Sequence, residues 1–221
     1  MQFLKMAQKV RQLVGMQGTG PSSVTATGYE GLLVALVSDA WEDLQNYRKK
    51  WKWMRDQKDF LLVAGTTTYT PATIFGPNNR FKTWLTEDPF YALVSGQKKQ
   101  LRYLEYDYFM YKHLNDAING VVSEFTVRPN DYALVFNLPD SQYTIYSCYK
   151  KNNQELVNAA DEPEMPEDYH MYLVYEATAR YALSMSMGAV YQLYSNKAKE
   201  LLGSILREQN AKEVLYIQSI V

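Results

Sequence analysis

Apolar residues recur at three- and four-residue intervals towards both ends of this chain, and at shorter, less regular intervals through its middle. Near the start, Phe3, Met6, Val10, Leu13 and Val14 share one helical face up to Gly15, which predicts a short first helix. Residues 15–28, rich in Gly, Ser and Pro, predict a flexible linker. Thr27-x-x-Glu30 has the form of a capping box, in which the threonine oxygen takes the amide three residues on. A second helix to about Lys50 follows, with Leu32, Leu33, Leu36, Val37, Ala40, Trp41, Leu44 and Tyr47 as its apolar stripe.

From Trp51 to about Asn153 the period changes. Segments 60–63, 66–69, 80–86, 100–106, 125–127, 132–136 and 143–149 are rich in aromatic and β-branched residues, and Gly, Pro, Asn and Asp punctuate them. That spacing predicts an antiparallel sandwich or barrel-like sheet. Residues 106–115 break the series, with Phe109, Met110, Leu114 and Ala117 at helical intervals. Beyond the acidic loop Asp161-Glu-Pro-Glu-Met-Pro166 the chain holds no further proline, and helical spacing runs over 167–187 and 189–212 with Gly188 as the break. The last helix carries the stripe Val190, Leu193, Tyr194, Ala198, Leu201, Leu202, Ile205 and Leu206. The expected class is therefore α+β. Helices from the two ends (1–50 plus 165–221) form a bundle, and a β-rich domain (51–164) is inserted between them.

Composition adds one strong feature. Nineteen tyrosines among 221 residues exceed ordinary usage. Tyrosine joins a stiff contact surface to a polar tip, which suits extensive protein–protein contact and suits β-structure equally. Lys and Arg number 23 against 24 Asp and Glu, a formal net charge of -1, so no basic excess supports phosphate binding as the main task. The cluster Arg48-Lys49-Lys50 with Lys52 and Arg55 falls at a helix end, where cations complement the helix dipole. A single cysteine, Cys148, excludes an internal disulfide framework and suits a reducing cytoplasm. No apolar run reaches membrane-spanning length, and the first residues lack the continuous apolar stretch of a signal peptide.

Residues for catalysis are few. The two histidines, His113 and His170, have no second ligand at metal-binding spacing, and no nucleophile motif surrounds a serine or Cys148. Glu162, Glu164, Glu167 and Asp168 cluster, as expected of a solvated loop leading into a helix N-terminus. Two carboxylates distant in sequence could still serve a glycosidase, which spacing alone does not reveal.

Three stretches resemble the head-to-tail adaptor, or head-completion, proteins of tailed phages, including the tail-tube protein A type. They are Ala40-Trp41-x-x-Leu44-Gln45-x-x-Arg48-x-x-Trp51-x-Trp53, then Leu138-Pro139-Asp140-x-x-Tyr143-x-Ile145-x-x-x-Tyr149, then Pro163-x-x-Pro166-x-x-Tyr169 leading into Tyr175-x-Ala177-x-x-x-Tyr181-Ala182 and Gly188. The resemblance implies a non-enzymatic virion protein at the head–tail junction, assembled in the host cytoplasm, with no cofactor and no metal. Its subunits would form a ring, dodecameric in such proteins, between the portal protein and the next tail or nozzle protein. DNA would pass through the channel without being read. On this reading Trp41, Trp51, Trp53, Pro166 and Tyr169 are structural anchors. The apolar end Val214, Leu215, Tyr216, Ile217, Ile220 and Val221 is a docking element for the portal, with folding back onto its own bundle as the competing reading. A tail-associated cell-wall or polysaccharide hydrolase, or a carbohydrate-binding module on the β-region, are the alternatives.

Overall fold

A computed structural model describes residues 1–48, 50–77, 79–113 and 120–210, and over these the chain is α+β. In chain order it forms α1 (Phe3–Leu13), α2 (Gly28–Tyr47), a 3-10 turn (Lys52–Met54), β1 (Arg55–Leu62), β2 (Thr68–Tyr69) and α3 (Pro71–Phe75). Then come β3 (Phe81–Trp84), β4 (Phe90–Val94), β5 (Gln97–Tyr103), α4 (Tyr106–His113), β6 (Glu124–Val127), β7 (Leu134–Phe136) and β8 (Tyr143–Lys151). A second 3-10 turn (Glu167–Tyr169) precedes α5 (His170–Ser184) and α6 (Gly188–Asn210). The chain divides into two compact units, one of Met1–Trp53 with the chain from Asn153 onward, the other of Met54–Asn152.

In the helical unit α5 is the centre, and α1, α2 and α6 each pack on it. Its buried positions include Leu173, Val174, Ala177, Thr178 and Ala182, and the small residues among them let neighbouring helices approach closely. Arg180 ties α5 to α2 through Asp43 Oδ2 at 2.8 Å, while its Nε bonds Glu176 Oε1 within α5 at 2.9 Å. Three details depart from expectation. Thr27 does stand at the N-cap of α2, but its hydroxyl makes no cap bond, and Glu30 instead takes Arg11 Nη1 of α1 at 2.8 Å. The turn between α5 and α6 bends at Ser186 (φ 58°), not at Gly188, which is the first residue of α6. In the α6 stripe only Ala198 and Ile205 are buried, and Leu193 is 50% exposed. The apolar stripe is wider than the line along which α6 meets α5.

Segment 15–28 is a packed strap and not a flexible linker. Arg11 Nε donates to Gln17 O at 3.0 Å and Gln8 Nε2 to Pro21 O at 3.0 Å, so α1 holds the loop from beneath. Gly20 has φ +91°, and a Cβ there would come 3.1 Å from Gln8 Cα. Only glycine fits that turn without strain.

In the β-unit the strands follow the order β1-β8-β4-β5-β6-β7-β2, and β3 also pairs with β8. The strands β3 and β4 share one edge of β8: β3 meets its C-terminal part (Trp84↔Tyr149) and β4 its N-terminal part (Ala92↔Ile145). Expected as an antiparallel sandwich or barrel-like sheet, the sheet is curled, but it is mixed, because β5 and β6 run parallel (Arg102↔Glu124, Tyr103↔Phe125). The connection between them contains α4, and a parallel neighbour requires a crossover of that kind. Curling brings the two ends of the strand order together. Phe60 of β1 lies 5.6 Å from Tyr69 of β2 between ring centroids, and Tyr69 Oη accepts the Val63 amide at 2.7 Å. The enclosed core includes Leu62, Phe90, Leu134 and Ile145, with Phe90 stacked on Phe125 at 4.4 Å. Two elements went unforeseen. One is β4, which forms a hairpin with β5 across Ser95-Gly96, both at positive φ, the geometry of a two-residue turn. The other is α3, whose N-cap Thr70 accepts the Thr73 amide at 3.2 Å ahead of Pro71.

Candidate functional site

Trp51 and Trp53 follow directly on the end of α2. A helix leaves its last four carbonyls without helical partners, and Leu44 is among those of α2. Its carbonyl accepts the indole N–H of Trp51 at 2.9 Å, so Trp51, fully buried, caps the helix with its side chain. Trp53 stacks on Trp51 at 4.4 Å and 15°. Between them Lys52 reaches the end of α6: its amide donates to Gln209 Oε1 and its ammonium to Glu208 O, both at 2.9 Å. Trp41 is buried in the same unit, and among the described residues neither its indole N–H nor that of Trp53 meets an acceptor. Pro166 is exposed and opens the second 3-10 turn, where its carbonyl accepts the Tyr169 amide at 3.0 Å. The Tyr169 hydroxyl donates to Glu208 Oε2, which raises the tyrosine pKa, and burial adds to the rise.

Residues 153–164 are held to the same place by side chains that sequence reading missed. Gln45, buried on α2, treats Gln154 as a strand neighbour would: it accepts the Gln154 amide at 2.7 Å and donates to its carbonyl at 3.1 Å. The Gln154 side chain in turn donates to Glu162 O at 2.8 Å and accepts the Glu164 amide at 2.9 Å. Asp161 accepts the amides of Asn158 and Val157, each at 2.7 Å, and these bonds lower its pKa. The acidic cluster thus belongs to a built turn, and Glu162, Glu167 and Asp168 stand exposed around it.

A second polar cluster lies in the β-unit, around the buried Glu124. Glu124 of β6 receives Lys112 Nζ on both carboxylate oxygens, at 2.6 and 2.7 Å, and His113 Nε2 at 2.9 Å. Burial would raise the Glu124 pKa, but the hydrogen bonds and charges of Lys112 and His113 outweigh it and hold the carboxyl below its usual range. With Phe109 buried, this clamp fixes α4 on the sheet while Tyr111 is 83% exposed on the helix. His170, the other histidine, is buried and bonds Met165 O through Nε2 at 3.0 Å. Arg128 and Asp131 form a two-bond pair (2.9 and 2.6 Å), and with the Ala133 amide this brings Asp131 to a pKa of about 2. Cys148 is a half-buried thiol on β8 whose pKa burial pushes up, which favours the unreactive form.

The proposed docking residues Val214, Leu215, Tyr216, Ile217, Ile220 and Val221 lie outside the described residues. Among the described residues no group of three or more His, Cys, Asp or Glu could hold a metal ion, and no helix is long and apolar enough to cross a membrane. Trp51, Gln45 and Gln154 hold backbone groups through their side chains, whereas Glu124 and Asp131 each join side chains to one another. A protein-family model, described as the SU10 adaptor protein, matches residues 1–216. No curated protein matches the chain.

Proposed function

Because the chain belongs to the SU10 adaptor protein family, we propose that it is a structural phage protein, an adaptor subunit that forms a ring between the portal and the tail. The observation that carries this reading is the extent of the family match, which takes in both compact units and reaches residue 216. The mechanism is geometric. Contacts between unlike faces of identical subunits close into a ring when the rotation per subunit divides a full turn. Stiff units suit such a task, and the bonds of Trp51, Gln45 and Glu124 supply the stiffness. Exposed aromatics suit it too: Tyr29, Tyr47, Tyr108 and Tyr111 all reach solvent, and tyrosine is enriched in protein interfaces.

Within this reading the segment from Val214 to Val221 reaches the portal. An extended apolar segment can add to a neighbour's surface through main-chain hydrogen bonds and pockets for alternate side chains. Purified chain mixed with its portal and imaged in negative stain should show rings seated on the portal. Deleting the last eight residues should abolish that seating with the melting temperature unchanged. A destabilised chain that still joins the portal would mean the segment is core, and the absence of any ring would reject the adaptor role.

A further inference from the structure

Among the described residues, no strand pairs with the outer edge of the first half of β1. At the strand's far end the curl brings Phe60 and Leu62 into the core, whereas Arg55, Asp56, Gln57 and Asp59 are exposed and Lys58 is half-buried. Among the described residues β1 pairs only with β8, at one end of the strand order. The Gln57 amide is bonded to its neighbour Asp56 Oδ1 at 2.8 Å. Backbone groups alternate sides along an antiparallel strand, so an outward Gln57 amide places those of Arg55 and Asp59 outward as well.

An open edge is a template for pairing, and charged side chains are the usual means of blunting it. Here the charges are ordered. Arg55-Asp56-Gln57-Lys58-Asp59 reads plus, minus, neutral, plus, minus. Laid antiparallel on a second copy about Gln57, it sets Arg55 opposite Asp59 and Asp56 opposite Lys58, twice each by symmetry. Neighbouring registers fail. Sliding by two residues in one direction puts Asp56 against Asp56, and in the other Lys58 against Lys58. Sliding by one sets Arg55 against Lys58 or Asp56 against Asp59, and turns the outward amides away from the partner's carbonyls. Opposite charges facing across strands stabilise the pair and like charges oppose it. The centred register also places Gln57 of both copies as a hydrogen-bonded pair, in keeping with its outward amide.

We propose that two copies of this chain associate through this edge, with a two-fold axis at Gln57 and β1 of each copy continuing the other's sheet. Strands of other sequence would meet mismatched charges, so the pattern both blocks the edge and admits its own copy. In the free chain Asp56 satisfies the Gln57 amide, and the Arg55 side chain pairs with Asp88 Oδ2 at 2.5 Å. Pairing exchanges these local contacts for intermolecular ones. A five-residue ladder is small, so the association is weak and reversible. It closes at two chains, unlike the head-to-tail contacts of a ring.

Analytical ultracentrifugation of the full chain at low salt, over a concentration series, should reveal a two-chain species that weakens as salt is added. Lys58→Asp sets a new carboxylate against Asp56 of the other copy, twice by symmetry, and should weaken the association by about tenfold or more. The swap Asp56→Lys with Lys58→Asp restores opposite charges and should recover it. Gln57→Cys is tested in a Cys148→Ser background, because Cys148 stands opposite Gln57 within the chain. That variant should oxidise to a covalent dimer. A chain that stays monomeric and uncrosslinked throughout would overturn the proposal, as would a dimer indifferent to Lys58→Asp or a swap that fails to restore it. Ring formation on the portal reads separately, by mass and by image.

Discussion

Replacing Trp51 by alanine removes three contributions at one point: a fully buried indole, its stack on Trp53 at 4.4 Å, and its bond to the terminal Leu44 carbonyl of α2 at 2.9 Å. Truncating a buried Trp costs about 3–5 kcal/mol, the stack and the bond included. For a chain of this size each kcal/mol lowers the melting temperature by roughly 2–4 °C, so the drop should be roughly 6–20 °C. Thermal unfolding followed by the helical circular dichroism signal measures it. Phenylalanine variants sharpen the test. Trp51→Phe keeps much of the volume but strands the Leu44 carbonyl, which costs about 1–3 kcal/mol. Trp53→Phe removes an indole N–H that has no acceptor among the described residues and should cost less. If Trp51→Ala melts like the wild type and fails only in binding a partner, or if the two phenylalanine variants cost the same, the capping argument is wrong.

Gln45→Ala should destabilise the helical unit by about 2–4 kcal/mol, because it leaves both the amide and the carbonyl of Gln154 without their partner; equilibrium urea unfolding measures this. Gly31→Ala should lower stability, although Gly→Ala within a helix ordinarily raises it, since the added Cβ would sit 2.4 Å from the Ala26 carbonyl oxygen; a rise in melting temperature would contradict the packing. Glu124→Gln should destabilise most near neutral pH. The folded Glu124 pKa is depressed, so its contribution is present above the unfolded value and lost as pH falls through the lower folded one. The gap between wild type and variant should therefore close in acid, and a gap that is constant with pH would refute the role of the charge.

Local pattern made much of this fold legible. The faces of α1 and α2, the strands β6 and β8, the end of β1 and the short helix α4 follow from residues a few positions apart, and such periodicities need no knowledge of the rest of the chain; the charged first half of β1 carried no such signal. The Ser95-Gly96 turn was equally local and could have revealed β4. Other features depend on what lies far away. That β5 and β6 run parallel is decided by which strand edges remain open once β8 has taken β1, β3 and β4. Polar residues such as Gln45, Gln154 and Glu124 read as surface in a linear pattern. They are structural because the fold brings them to unpaired backbone groups or cations, in the case of Gln45 and Gln154 across 109 positions. Thr27 and Glu30 show the converse, a sound local signal displaced when Arg11 of a neighbouring helix offered Glu30 an ion pair. Periodicity is a property of the backbone and can be read from neighbours, whereas the partner of a buried polar group is chosen only when the chain closes on itself.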